Sequence, residues 1–478
     1  MTRDVVIIGA GPAGLVAARW LLSRGFEPRL YEAHSEVGGQ WSWTNPNSGV
    51  WPQMVTNTFL EATRFSDLAY PEGTPLFPHN STVRQYLERY TDKFEITHRI
   101  RFGARLTGLA RERSGWRLTV QAQEDLISDW CEHVVIATGR FNDPVIPPIP
   151  GDETFTGDMA IIHSFDYKDP MAYQGKRVVV LGGSISSLEI ASDLAMLGTR
   201  SVHLAQRRQR YVNPKMYLGT PIEYRLFTYR RGQLALDDPQ GFLADSKAKV
   251  MEHAGDPSRY GAPKPHSDFA KAGATGSQHY LNLVAEDRVK PVLWPERIDG
   301  RKLFFKDGTT LETDGIIAGT GFRLNLPFLS DAVAETVNLT ESSIELDEFT
   351  FHPDLPGLAF MGLWSQAGSL PAPLEQQARY VAYTWAGELD RDEAMMRAGV
   401  AASVTEGHHV GYRSQAEMAL RFGRLCGTDP GQASSGAVVE LANASATTGL
   451  LYRIVGPDAD PEAEQGVRAM NARFLPGP

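Results

Sequence analysis

Near the start of the chain stands the stretch DVVIIGAGPAG, residues 4–14, in which an apolar run enters a glycine-rich turn. The apolar residues predict a buried strand, and a helix-forming segment follows from Leu15. Gly9 allows a tight turn, Gly11 lets the backbone approach a pyrophosphate, and Gly14 permits the helix to pack on the strand. This order predicts a Rossmann nucleotide site in which the helix N-terminus faces the phosphates.

The end of the next predicted strand indicates which nucleotide this turn binds. Glu32 follows the strand at residues 29–31 and is placed to accept hydrogen bonds from a ribose diol. A carboxylate there would repel a 2′-phosphate, so the site prefers the adenosine diphosphate moiety of FAD. Pro12 and Ala13, between the glycines, belong to the same predicted contact surface.

A second nucleotide turn follows the apolar strand at residues 178–181. Its small residues are Gly182, Ser184, Ser186 and Ser187, and a helix follows that Gly198 closes. Serines stand at two positions where glycines are usual. Ser187 is small enough for helix–strand packing, whereas Ser184 narrows the approach to a pyrophosphate.

The strand after this second turn, at residues 201–204, ends in arginines instead of an acid. A guanidinium chelates a 2′-phosphate with two parallel hydrogen bonds, so the second site prefers NADPH. Arg207 is the first choice for this contact, and Arg208 and Arg210 are the next. The alternative interpretation is a solvated charge run.

Two further strands end in small-residue turns that would let backbone approach a ligand. Thr138 and Gly139 follow the strand at residues 133–136, and Thr320 and Gly321 follow the strand at residues 314–317. We assign all four to cofactor binding.

These elements predict an α/β protein with two Rossmann-like domains, the second inserted into a discontinuous first. Residues 1–150 form the first part of the FAD domain, 151–318 the NADPH domain, and 319–478 the return to the FAD domain with a C-terminal segment. A proline-rich stretch at residues 144–151 predicts a stiff crossover. Within the second domain a mostly helical insertion spans about residues 216–278. It is either a cap over sheet edges or a wall of the substrate channel.

The composition of the 478-residue chain restricts the class of protein. A net charge of −10 argues against nucleic-acid binding. We expect no membrane span and no signal peptide. The two cysteines, Cys131 and Cys426, cannot form a disulfide framework or a paired redox site, which favours the cytoplasm. The pair His408-His409 has no companion ligands at a recognisable spacing, so no metal is predicted.

Several ordered motifs in roughly the first 390 residues resemble the flavin-containing monooxygenases, the class B group of flavoprotein monooxygenases. Gly38-Gly39-Gln40-Trp41 is similar to the family's G-G-x-W segment. The other matching segments are Thr56-Asn57-Thr58, Phe65-Ser66-Asp67, the fingerprint from Phe155 to Lys168, Arg207 to Lys215, Ala318 to Phe322 and Glu375 to Arg379. The fingerprint carries two extra residues between Gly157 and His163, and Gly319 lengthens the second turn.

The resemblance implies that NADPH reduces FAD, that dioxygen adds at the flavin C4a atom, and that the hydroperoxide oxygenates a small molecule. It also implies that Gly39, Gln40 and Trp41 contact FAD. Asn57 is the implied catalytic residue, since a neutral amide donates and accepts a hydrogen bond without a change of charge. His163 is expected to orient the crossover.

Tyr167 stands where Baeyer–Villiger members usually carry tryptophan, which favours oxygenation of nitrogen or sulfur. Baeyer–Villiger oxygenation of a ketone is the first alternative. An NADPH oxidase or reductase without substrate oxygenation is the second, and a flavin-holding scaffold with a decayed nicotinamide site is the third. A homodimer is the family-level expectation.

Overall fold

A parallel sheet forms around the Asp4–Ile8 strand. The computed structural model describes residues 3–405, 407 and 412–475. The strand order is Leu358–Phe360, His133–Ile136, Asp4–Ile8, Glu27–Tyr31 and Ile100–Arg101, with every neighbouring pair parallel. Val5 and Ile7 pack into one hydrophobic core and Val6 and Ile8 into another, so the sheet is covered on both faces.

A second parallel sheet is built the same way around Arg177–Leu181. Its order is Val289–Val292, Ser201–Ala205, Arg177–Leu181, Gly315–Ala318 and Ile161–His163. All five strands fall between Ile136 and Leu358, where the chain leaves and re-enters the first sheet. This confirms the predicted α/β class with one Rossmann-like unit inserted into another. The predicted domain limits stay a prediction.

Helices cover the first sheet on the side of Val5 and Ile7. Pro12–Leu22 begins with proline in its first turn, where no backbone N–H is needed. Pro371–Ala386 packs against it, and the Arg379 guanidinium lies 4.2 Å from the centre of the Trp20 ring. The two units also contain the α-helices Asn80–Lys93, Ile185–Met196, Tyr280–Ala285 and Asp331–Thr336.

Smaller antiparallel sheets complete both units. Ala104–Glu112, Gly115–Ala122 and Asp125–Cys131 form one, and Pro295–Asp299, Lys302–Phe305 and Thr310–Glu312 the other. The turn at Asp307-Gly308, a dipeptide typical of hairpins, joins the last two strands. The outgoing crossover Asp143–Pro144 pairs with the returning Phe322–Arg323, so both connections between the units lie side by side.

The insertion at residues 216–278 is mostly helical. Its elements are the strands Met216–Tyr217, Thr220–Pro221 and Ala274–Gly276 and the helices Glu223–Leu226, Tyr229–Asp237, Pro239–His253 and Phe269–Ala272. Ala274–Gly276 pairs in parallel with Tyr211–Asn213. A Cβ at Gly232 would lie 2.6 Å from the Ala416 carbonyl oxygen, so two helix backbones are in close contact there.

The C-terminal segment is a group of helices, of which Gln415–Leu425 packs onto Pro371–Ala386. They are Glu393–Thr405, Gln415–Leu425, Gly436–Ala444 and Ala463–Phe474, and the short strands Gln366–Ala367 and Arg413–Ser414 pair in parallel beside them. The buried Arg379 donates to the Tyr452 carbonyl oxygen at 2.8 Å. Among the described helices, none has the length and apolar character needed to cross a bilayer.

Candidate functional site

A cavity of about 1670 Å³ lies at the carboxyl ends of both parallel sheets. Single-ligand pockets are typically about 300–1,000 Å³, so there is room here for more than one ligand. The predicted site residues that line it are Gly9, Gly11, Pro12, Ala13, Glu32, Gly39, Gln40, Trp41, Asn57, Thr138, Gly139, Ser184 and Arg208. The structure therefore brings most of the first predicted nucleotide site, and Ser184 and Arg208 of the second, to one space.

The first glycine turn is as tight as the sequence predicts. Gly9 has φ +105°, and a Cβ there would lie 2.6 Å from the Ala137 carbonyl oxygen. Gly14 does not line the cavity; a Cβ on it would overlap the carbonyl oxygen of Gly9. Gly14 thus serves helix–strand packing, while Gly9 and Gly11 leave a cradle that a side chain would fill.

Glu32 is buried beside this cradle, with 5 % of its surface exposed. Its carboxylate accepts hydrogen bonds from the backbone N–H groups of Ala10, at 2.6 Å, and His34, at 2.9 Å. These bonds fix the carboxylate on the cavity wall at the end of the second strand. Its remaining lone pairs are acceptors of the kind that a ribose diol requires.

The segment from Gly39 to Trp41 closes the cradle from the opposite side. A Cβ at Gly39 would lie 3.0 Å from the Gly11 Cα, so the two backbones are in contact. Gln40 donates from Nε2 to the Asn47 and Phe141 carbonyl oxygens at 2.7 and 2.9 Å, which ties three loops together.

A buried hydroxyl on the cavity wall points to a ligand at the first site. Thr138 Oγ1 finds no hydrogen-bond partner among the described residues, although Thr138 lines the cavity. A buried polar atom of this kind needs a partner that the protein does not supply, such as a bound ligand or an ordered water. The cradle, the fixed carboxylate and this hydroxyl all fit an adenine dinucleotide.

Asn57 lines the same cavity from the loop at residues 48–59. Its Oδ1 is buried and makes no hydrogen bond to any described residue. This open acceptor is compatible with the role that the sequence predicts.

The second turn uses serine where the first uses glycine. Gly182 has φ +120°, and Ser187 Oγ donates to the Leu181 and Gly319 carbonyl oxygens at 3.2 and 3.0 Å. A Cβ at Gly319 would overlap this hydroxyl, so the extra glycine of the later turn accommodates the serine. Ser187 therefore contacts backbone, and Ser184 is the serine that reaches the cavity.

Several residues assigned to cofactor contact lie outside the cavity lining. They are Gly14, Gly182, Ser186, Ser187, Arg207, Thr320 and Gly321. Thr320 Oγ1 donates to the Val145 carbonyl oxygen, and the Gly321 carbonyl oxygen lies 3.1 Å from His163 Nε2. The turn at Thr320 and Gly321 therefore contacts the crossover, and its contact with a cofactor stays a prediction.

His163 makes this crossover contact as a neutral ring. Its Nδ1 accepts from the Phe165 N–H at 3.1 Å, which leaves the proton on Nε2 for the Gly321 carbonyl oxygen. Burial lowers the pKa of His163 and favours the same neutral form.

The arginines after the strand Ser201–Ala205 differ in their surroundings. The Arg207 guanidinium lies 4.4 Å from the centre of the Trp294 ring and forms no hydrogen bond within the described part of the chain. Arg208 lines the cavity and donates to the Lys271 carbonyl oxygen at 2.8 Å, and Arg210 also lines the cavity. Arg207 is thus oriented by stacking and keeps its donors open.

Side chains of the insertion line the cavity, and its role as a wall of the substrate channel stays a prediction. Its lining side chains include Ile222, Leu226, Phe227 and Phe242, which are apolar. Two buried ionisable residues, Lys215 and Glu223, also line this wall. Glu223 was missed by sequence reasoning, because a single acid in an insertion carries no motif.

Both cysteines are free and buried, and burial raises the pKa of each thiol to about 12. Within the described ranges, no group of three or more His, Cys, Asp or Glu side chains could hold a metal ion. The pair His408-His409 lies outside the described residues.

Two nucleotide-binding units that share one cavity define a two-dinucleotide flavoprotein, and comparison with known proteins gives its family. The family model described as flavin-binding monooxygenase-like matches residues 2–417. The chain belongs to this family. It is a flavin-dependent monooxygenase, and the family uses FAD and NADPH.

Relatives are similar over most of the chain. Flavin-containing monooxygenase 2 of Homo sapiens is 27 % identical over 413 residues, 83 % of this chain and 76 % of the relative. The dimethylaniline monooxygenase [N-oxide-forming] 2 of Rattus norvegicus is 27 % identical over 402 residues, 81 % and 74 % of the two chains. The 4-hydroxybenzoate brominase (decarboxylating) of Marinomonas mediterranea is 28 % identical over 407 residues, which cover 81 % of this chain and 75 % of the relative.

Solved structures share the fold. The S-allyl-L-cysteine S-oxygenase of Allium sativum has a TM-score of 0.66 at 20 % identity, with 98 % of this chain and 99 % of that chain covered. The open form of cyclohexanone monooxygenase has a TM-score of 0.68 at 17 % identity, with 89 % and 97 % covered.

Proposed function

We propose that this monooxygenase oxygenates the nitrogen or sulfur atom of a small molecule, with dioxygen as the oxygen source. The observation that carries the proposal is the place of the neutral Asn57 amide on the shared cavity, where its Oδ1 has no partner within the described ranges. The relatives named for N-oxide formation support nitrogen as the acceptor atom. Tyr167 is fully buried against Trp51, in the place where the sequence resemblance favours heteroatom oxygenation.

The cofactors are assigned to the two halves of the cavity. We propose that Gly9, Gly11, Glu32 and the segment 39–41 hold FAD, which supplies the activated oxygen when bound. Ser184 and the arginines Arg207 and Arg208 would hold NADPH. Asn57 would donate one hydrogen bond and accept another where the oxygen is transferred. The apolar side chains of the insertion would keep water out of the site.

A substrate screen tests this proposal. Matched amines, thioethers and ketones are supplied with NADPH, and oxygen uptake is compared with product masses. Mass gain of one oxygen atom on amines or thioethers is the expected result. Lactones or esters from the ketones alone would establish Baeyer–Villiger chemistry instead. If the molar amount of peroxide equals that of the NADPH consumed for every compound added, the enzyme is an oxidase.

Arg207→Ala tests the assignment of the 2′-phosphate. A charge-assisted hydrogen bond to phosphate is worth about 1.5–3 kcal/mol, so the KM for NADPH should rise roughly tenfold or more. The KM for NADH, which lacks this phosphate, should not change. Steady-state kinetics with both cofactors measure this. Arg230→Ala removes the same charge from an exposed position of the insertion and should affect neither. An equal rise for NADPH and NADH would exclude the 2′-phosphate contact.

Location and assembly complete the proposal. We place the enzyme in the cytoplasm, since its two cysteines are free. The homodimer stays a prediction, which light scattering of the purified holoenzyme tests.

A further inference from the structure

The loop that carries Asn57, residues 48–59, is held by side chains of the second unit. Lys168 Nζ donates to the Val50 carbonyl oxygen at 2.7 Å and to the Ser48 carbonyl oxygen. Trp51 Nε1 donates to Asp193 Oδ2 at 2.6 Å. The first half of this loop is thus anchored across the interface between the two units.

The two remaining anchors lie on either side of Asn57. Lys215 Nζ donates to the Thr56 carbonyl oxygen at 3.3 Å, and Glu223 Oε1 accepts from the Phe59 N–H at 3.2 Å. The residue before Asn57 and the second residue after it are therefore fixed by ionisable side chains from the other unit. The Asn57 Oδ1 itself accepts no hydrogen bond from the residues that the structure describes.

Both anchors are buried, which is costly for ionisable side chains. Glu223 is fully buried, and Lys215 is 9 % exposed with its Nζ 3.5 Å from Glu189 Oε2. Burial raises the pKa of Glu223 to about 8. Apolar residues of similar volume are often equally or more stabilising at such places. A gain in stability therefore does not explain why these two residues are ionisable.

We propose that Lys215 and Glu223 are positioning residues that hold Asn57 at the shared cavity from the NADPH-binding unit. The inference rests on the proposed role of Asn57. Through these anchors, the placement of the Asn57 amide depends on the orientation of the second unit relative to the first. Formation of the oxygenated product and reduction of the flavin by NADPH are then linked through this loop.

Glu223→Ala and Glu223→Gln separate this role from a general effect on folding. Alanine removes the acceptor of the Phe59 N–H, whereas glutamine keeps an acceptor oxygen at the same place. We expect Glu223→Ala to raise the fraction of NADPH electrons released as peroxide several-fold. Glu223→Gln should restore coupling to within about twofold of wild type. Lys215→Met loses the hydrogen bond to the Thr56 carbonyl oxygen. We expect it to release peroxide to the same extent as Glu223→Ala.

A double-mutant cycle with Asn57→Ala decides whether the anchors act through Asn57. The combined variant Asn57→Ala/Glu223→Ala should form oxygenated product at the same residual rate as Asn57→Ala alone. A further fall by the factor that Glu223→Ala causes in the wild-type enzyme would overturn the inference, and so would a fully coupled Glu223→Ala. FAD content and Tm are measured for each variant. If peroxide release increases only in variants that have lost flavin, this result also counts against the inference.

The control is Glu252→Ala, which removes an exposed glutamate from the same insertion. The fraction of NADPH electrons that this variant releases as peroxide should equal that of wild type. A fraction as large as that of Glu223→Ala would overturn the assignment to Glu223. Failure of the proposed function has a different signature. In that case the wild-type enzyme itself transfers no oxygen to any amine or thioether.

Discussion

Asn57→Ala is expected to keep its flavin and to release most of its reducing equivalents as hydrogen peroxide. The side chain lies on the cavity wall and its Oδ1 bonds to no residue in the described part of the chain, so its removal leaves the FAD cradle intact. A positioned donor at a reacting oxygen is worth roughly 10²–10³ in rate, and product formation should fall by about that factor. NADPH consumption, peroxide and oxygenated product are measured in the same reaction.

Asn57→Asp is the companion variant. It has nearly the same shape, but it replaces the amide donor with a carboxylate that only accepts hydrogen bonds when ionised. We expect it to release hydrogen peroxide as Asn57→Ala does. The substitution removes the amide N–H donor and also adds a negative charge at this position. If either variant remained fully coupled to product, Asn57 would have no part in oxygen transfer.

Gly14→Ala is expected to yield a protein that purifies without yellow colour. The new Cβ would overlap the Gly9 carbonyl oxygen, which is backbone and cannot rotate away. Either the Pro12–Leu22 helix or the Gly9 turn must then shift, and the cradle for the pyrophosphate opens. The flavin-to-protein absorbance ratio of the purified variant, before and after reconstitution with FAD, measures the loss.

Gly436→Ala is the matched substitution. Its Cβ would meet no heavy atom within 4 Å, so this variant should carry the same flavin content as wild type. Full flavin occupancy in Gly14→Ala would show that the close contact with Gly9 is not needed for FAD binding.

The nucleotide turns could be predicted because their chemistry is local. An apolar strand, a turn of small residues and the residue that ends the next strand lie within about thirty positions of each other. Gly9, Gly11 and Glu32 therefore lie on the cavity as the sequence predicts. The hairpin at Asp307-Gly308 depends on an equally local signal, an Asp-Gly pair between two strands.

Residues that act over long sequence distances could not be assigned this way. Glu223 bonds to Phe59, which is 164 positions away. Ser187 bonds to Gly319 across 132 positions, and this contact explains two departures from the family pattern together. Thr320 and Gly321 sit in a turn that looks like a ligand turn, yet they contact the crossover. Only the packing of the two units distinguishes these cases.

The burial of Cys131 and Cys426 has a consequence for the lifetime of an enzyme that activates oxygen. Peroxide attacks the thiolate form of cysteine, and both thiols have pKa values of about 12, so almost none is deprotonated at neutral pH. Neither sulfur is open to solvent. Uncoupled turnover should therefore leave both thiols unoxidised, and any self-inactivation would begin at side chains other than cysteine.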